Sequence, residues 1–249
     1  MNDIIEHHGV KGQKWGVKRK RYSESLGDTD HVVKSGTEIS RISSKNNERL
    51  GRKATYVTTN KHDSDEYLGN YAGLMDKAYS MKMRNTKDLV SPSAKKRAEI
   101  YMDLYKNDPV FRRSFASAVR KTTIPGALGL GGSKKAYIKR YGNLSDDKLD
   151  TKKMLRKISS TMAVSNKVRD SVLNKTLEKG YNSIVDDNDA GHYSKEALIV
   201  INANRDLKLK SVSEVTDKVR NEAFKRAFDY ANKRRNSKKL RSDFTSVGL

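Results

Sequence analysis

Between His7 and Arg19 the 249-residue chain places three glycines (Gly9, Gly12, Gly16), four cations (Lys11, Lys14, Lys18, Arg19) and its single tryptophan, Trp15. Residues of these types in this mixture recognise rather than catalyse. Each glycine costs a helix about 1 kcal/mol relative to alanine, and Val10, Trp15 and Val17 are too few to build a core. The stretch reads either as an extended ribbon that lays one ring and several charges on another surface, or as a basic disordered arm. Overlapping its end, Lys18, Arg19, Lys20 and Arg21 form a block of like charge, and Arg234, Arg235, Lys238 and Lys239 form a second block far downstream. Such blocks track phosphates without reading sequence, and Trp15 and Tyr22 are of the type that stacks on bases.

Other chemistries are excluded on residue grounds. The chain has no cysteine, so disulfides and thiolate metal sites are absent. The five histidines (7, 8, 31, 62, 192) are scattered and show no zinc spacing. Asp186, Asp187 and Asp189 resemble half of a calcium loop, but the sixth position lacks glycine and the distance to Glu196 is wrong, so no metal is expected. The one glycine-rich segment, Ile124 to Ser133, lacks the Gly-Lys-Ser/Thr ending of a phosphate-binding loop and reads as a connector.

Lysine and arginine total 52 against 30 acidic residues, a formal net charge of +22. That imbalance bears on partners rather than fold: it favours DNA or another polyanion, bound non-specifically, over neutral ligands. Apolar residues make up 35%, below the usual ~45–50% (a figure that includes glycine), so the core must be modest. The longest apolar run, Ala197 to Ile201, is strand-sized and far short of a membrane span, and no secretory leader is expected at the N-terminus.

The elements needed to position any site follow from periodicity. β-branched residues predict strands at 31–34, 37–43 and 54–59. Tyr67, Tyr71, Leu74 and Ala78 recur at helical spacing and predict a helix over 63–82. Ser93 caps a helix to about residue 107, Asp108-Pro109 restarts a second to about 121, and 146–178 is helical up to a stop at Gly180. Strands follow at 183–185, 197–202 and 207–212, the last two joined by a hairpin turn at Asn204-Arg-Asp, then a helix over 213–233. The order predicts an α+β fold: a small antiparallel or mixed sheet from N- and C-terminal strands, with a helical insert at about 93–178. Residues 1–30 form a docking arm, 31–215 the domain, and 216–249 a C-terminal helix and basic tail.

The segment His8-Gly9-Val10-Lys11-Gly12-Gln13-Lys14-Trp15-Gly16-Val17 closely resembles a motif common in head and structural proteins of phages and prophages of Gram-positive bacteria. The resemblance implies docking to head or portal components through residues 7–19, and a location in the virion interior or the host cytoplasm. Two further clusters, Lys34 to Ser43 with Tyr56-Val-Thr-Thr59, and Lys179-Gly-Tyr-Asn-Ser-Ile-Val with Lys195 to Val212, resemble at a distance the ADP-ribosyltransferase-like domains of phage head proteins.

That second resemblance implies NAD as cofactor and a set of roles. Arg41 would grip the pyrophosphate, with Thr37 in the same cluster. Thr58 or Thr59 would support the ribose side, Tyr67 or Tyr71 would stack on nicotinamide, and Glu196 would hold the ribose hydroxyl and stabilise the oxocarbenium-like transition state. The sequence departs from the family at two places. Asn182-Ser183 stands where the family has Asp-Gly, and with the Val-Ile-Asn segments aligned Ala197 falls where the family has glutamate, one position after Glu196. Plainer roles stand beside these: Arg41 as a solvated cation, the tyrosines as packing, Glu196 as a strand-end charge. The alternative functions are a non-enzymatic structural or DNA-binding protein of the capsid interior, or a counter-defence protein that binds a host factor.

Overall fold

The computed structural model describes residues 27–44, 46, 50, 54–70, 77–122, 133–142, 144, 150–186 and 197–245. Eight strands and eight α-helices appear among them, with a 3-10 turn at Arg120–Thr122. In chain order they are β1 (His31–Val33), β2 (Glu38–Ser43), β3 (Thr55–Thr58), α1 (Lys61–Asn70), β4 (Tyr79–Asn85) and β5 (Leu89–Ser91). A helical insert follows: α2 (Ala94–Asn107), α3 (Pro109–Val119), α4 (Lys134–Tyr141), α5 (Thr151–Met162) and α6 (Asn166–Glu178). The chain then returns as β6 (Ser183–Val185), β7 (Ala197–Val200), the single turn α7 (Ala203–Asp206), β8 (Leu207–Glu214) and the long α8 (Asp217–Thr245).

The fold is α+β with an antiparallel sheet and a helical insert between strands, as the element order implies. Six strands pair in the order β6-β7-β3-β2-β4-β8, and β1 pairs with β5 in a separate ladder. Three early strands, β3, β2 and β4, thus sit side by side, flanked by the late strands β7 and β6 on one side and β8 on the other. Four sequence expectations change, the first being the helix over 146–178, which is broken at 163–165 into α5 and α6 with Ser165 capping the second. Residues 79–82 are strand, not helix: Met81, Met83 and Asn85 are buried while Lys82 and Arg84 are exposed, a period of two that outweighs the helical spacing continuing from Tyr67. β7 and β8 do not form a hairpin, because β7 pairs with β3 and β6 while β8 crosses to pair with β4. β8 also runs on to Glu214, so the last helix starts at Asp217 rather than 213.

Local chemistry sets the helix ends. Asp108 closes α2, and its carboxylate accepts from the Val110 and Phe111 amides to open α3, with Pro109 at the first helical position. Ser93, Asp150 and Ser165 cap α2, α5 and α6 in the same way. Gly180, at φ +88°, ends α6: its amide donates to Leu177 and that of Tyr181 donates to Thr176.

The two faces of the sheet are covered differently. The insert packs on one face at the β6-β7-β3 side, where Tyr56, Ile184, Ile199 and Ile201 meet Tyr101, Phe111, Phe115 and Ile158. Burying each such aromatic is worth roughly 2–3 kcal/mol. The opposite face carries a second core of Ile39, Val57, Met83, Leu198 and Val200 under Val33 and Leu89 of the β1–β5 ladder. α1 packs on β2 and β3, and α8 packs on α1. No described helix is long and apolar enough to cross a membrane.

Candidate functional site

One row of the sheet joins the two clusters singled out in the sequence. Ser40 of β2 stands opposite Thr58 of β3, and Thr58 stands opposite Ala197 at the start of β7. Adjacent strands lie about 4.8 Å apart, so segments more than 130 residues apart in sequence meet within two strand spacings. Glu196, which immediately precedes Ala197, lies outside the described residues, as does Tyr71.

Arg41 follows Ser40 and therefore projects to the other face, the one shared by Ile39. It pairs in register with Met81, which is 1% exposed. Arg41 itself is half-buried, and burial lowers the pKa of its guanidinium. Its side chain makes no hydrogen bond or ion pair among the described residues. A planar cation beside buried Ile39 and Met81, whose donors find no partner among the described residues, is costly for the fold. Chemically, it is suited to a bidentate anion.

Thr58 does not share that face. It lies with Ser40 and Ala197, is 4% exposed, and its hydroxyl accepts from the Asn60 amide at 3.1 Å. The Asn60 side chain in turn accepts from the His62 and Asp63 amides and opens α1. Thr58 is thus a positioning residue for the turn into α1, with half-buried Thr59 held between it and Asn60. α1 brings half-buried Tyr67 onto the β2–β3 side of the domain. Thr37 sits four residues before Arg41, about 13 Å along the strand, and its hydroxyl donates to the Lys34 carbonyl at 2.6 Å. The structure therefore packs α1 on β2 and β3, turns Thr58 to the face opposite Arg41 and leaves Thr37 at the β1–β2 turn.

The register also bears on Ala197. It faces the same side as Thr58, so a carboxylate at position 197 would lie on the sheet face away from Arg41. Asn182, the other departure from the family, has a structural task. Its Oδ1 accepts from the Val90 amide at 2.7 Å and its Nδ2 donates to the Asp88 carbonyl at 3.0 Å, tying β5 to the start of β6.

α1 is clamped from outside by α8. His62 stacks on Tyr230 with ring centroids 3.6 Å apart, and Arg226 grips the 5%-exposed Asp65 bidentately at 2.8–3.2 Å. Gly69 passes so close that a Cβ there would lie 2.8 Å from Phe224 Cα. The position of Tyr67 thus depends on α8.

A cavity of about 10 Å³ lined by Tyr56, Tyr101, Met162, Ile184 and Ile199 lies beneath the insert. It has room for a single water and is on the face away from Arg41. The docking residues His8 to Val17 and the cations Lys18, Arg19, Lys20 and Arg21 lie outside the described residues. Arg234, Arg235, Lys238 and Lys239 fall within α8, but their side chains are likewise outside the description. Sequence reasoning missed the exposed cations of β4 and β8. The alternation Met81-Lys82-Met83-Arg84 and Leu207-Lys208-Leu209-Lys210 is a signal that marks them. Comparison of the chain with protein-family models, with curated proteins and with solved structures gives no match.

Proposed function

We propose that the chain is a virion-associated protein of a phage or prophage, docked in the head through residues 7–19 and carrying an ADP-ribosyltransferase-like domain that uses NAD. The observation that carries this assignment is Arg41, a half-buried guanidinium without a partner among the described residues. It stands one residue from the row that joins β2, β3 and β7. Also in its support, the segments that resemble the family are strands of a single sheet. NAD, when bound, supplies a glycosidic bond with nicotinamide as the leaving group. Arg41 holds the pyrophosphate through its two-pronged guanidinium, a task lysine does poorly. Tyr67 and Tyr71 offer ring faces to nicotinamide. Glu196 holds the ribose hydroxyl and stabilises the positive charge that develops on the sugar. Thr59 borders the ribose side, while Thr58 acts at one remove by fixing the turn.

Nicotinamide release from NAD tests the assignment. Arg41→Ala and Glu196→Ala should each lower turnover by about 10²–10³-fold, the range for removing one group that stabilises transition-state charge. Absence of both nicotinamide release and NAD binding by the unaltered protein overturns it. For docking, deletion of residues 1–22 should abolish incorporation into particles; normal incorporation removes that role from the motif.

A further inference from the structure

The half of the sheet that the insert leaves uncovered has its own character. On β2, β4 and β8 the register aligns Glu38, Arg84 and Lys208 in one row, Ser40, Lys82 and Ser211 in the next, and Ile42, Ser80 and Ser213 in a third. Lys82, Arg84, Lys208 and Ser211 are exposed, while Met81 and Met83 on the reverse of β4 are buried at 1% and 0%. A register shift between Lys82 and Met83 inserts Lys210 as an extra exposed cation on the edge strand. None of these four cations takes part in an ion pair or hydrogen bond among the described residues, although Glu38 stands beside Arg84.

We propose that this outer face of β2-β4-β8 binds the phosphate backbone of nucleic acid, independently of sequence and of the NAD site. Lys82 and Arg84, two residues apart, present charges about 7 Å apart along the strand, comparable to the separation of successive phosphates. Lys208 widens the pair by one strand spacing. The floor between them is serine, flat enough for a backbone to approach and able to donate hydroxyl hydrogen bonds to phosphate oxygens. The patch has no aromatic residue for stacking bases, and its one apolar member, half-buried Ile42, is too little to anchor a protein interface. Nor does it have an apolar stripe for insertion into lipid. Lysines on the edge strand β8 also discourage strand pairing, but that role needs nothing of Lys82 and Arg84, which sit on an interior strand.

The test uses the full chain and a fluorescent double-stranded DNA of arbitrary sequence. The triple variant Lys82→Ser, Arg84→Ser, Lys208→Ser is compared with a control of equal charge loss, Lys121→Ser, Lys139→Ser, Lys167→Ser, on exposed positions of the insert. Removing three cations that each neutralise a phosphate should lower the slope of log affinity against log salt by about 2.7 and weaken binding about 100-fold near 0.15 M salt. The control should change the slope by less than about 1. Equal effects of the two variants, no effect of the first, or no DNA binding by the parent protein would overturn the proposal. A loss of binding to polyglutamate but not to DNA would do so as well, since it would make the face one for acidic protein. Nicotinamide release should be unchanged in the sheet variant, and DNA binding unchanged in Arg41→Ala, so failure of either assignment is seen separately.

Discussion

Replacing Arg41 by methionine should make the protein more stable while removing the NAD binding proposed for it. The side chain leaves β2 on a face whose neighbours Ile39 and Met81 are 0% and 1% exposed. Burial already disfavours its charge, and no described group compensates it. Methionine has similar length, no charge and enough flexibility to fill the same space. Exchanging buried charges for apolar side chains of similar volume is often neutral or stabilising by 1–4 kcal/mol; a half-buried group belongs at the lower end, about 1–2 kcal/mol. For a domain of this size that raises Tm by roughly 3–6 °C. Circular dichroism during thermal and urea unfolding at neutral pH measures it, with Arg41→Lys as a companion that keeps the charge but loses the fork. A drop of 1 kcal/mol or more for Arg41→Met would mean that the guanidinium holds the fold together, and its use as an anion site would lose its physical basis.

Asn85 is the opposite case: its Nδ2 donates to the carbonyls of Val33, Lys34 and Lys87 at 3.1, 2.8 and 2.9 Å while the residue is 2% exposed. Asn85→Ala should therefore cost about 2–4 kcal/mol by urea unfolding, and a loss under 1 kcal/mol would contradict that role. Gly69→Ala forces a Cβ to within 2.8 Å of the Phe224 backbone, which should cost about 1–3 kcal/mol and speed tryptic cleavage of α8; unchanged Tm and cleavage would show that the helices have room. Acid should weaken the fold in a defined direction. Burial alone would raise Asp206, but hydrogen bonds from Arg205 and Lys87 outweigh it and hold the carboxyl low. Burial is likewise outweighed at Asp30 by Lys96, the Ser93 amide and Tyr181, and Asp88 is lowered by its hydrogen bonds from Lys34 and the Ser35 amide. Carboxyls depressed in the folded state contribute fully above their unfolded pKa near 4 and lose that contribution as pH falls through the lower folded values. Urea midpoints should hold from pH 7 to 5 and fall below pH 4, and flat midpoints down to pH 2.5 would exclude these pairs as stabilising.

Capped helices and β-branched strands were legible because their signals are local. Ser93, Asp108-Pro109 and Gly180 each write a helix end in one or two residues, which bounds the insert but shows neither α4 nor the break between α5 and α6. β4 was hidden because Tyr67, Leu74 and Ala78 extend a helical spacing into it, and its alternation is meaningful only with β2 and β8 on either side. The crossing of β8 was hidden for a similar reason: Asn204-Arg-Asp looks like a hairpin turn, yet the turn α7 sends the chain past β3, β2 and β4. For the site, residue types pointed to Arg41, but only register shows that Thr58 faces away from it and that Ala197 shares the Thr58 side.

Calorimetric titration of NAD into the unaltered protein and into Arg41→Met tests the central claim most directly. Saturable binding that Arg41→Met loses, with its unfolding transition intact or raised, is the expected pair of results. Equal binding by both proteins, or none by the unaltered one, would contradict the assignment of Arg41 to a dinucleotide site.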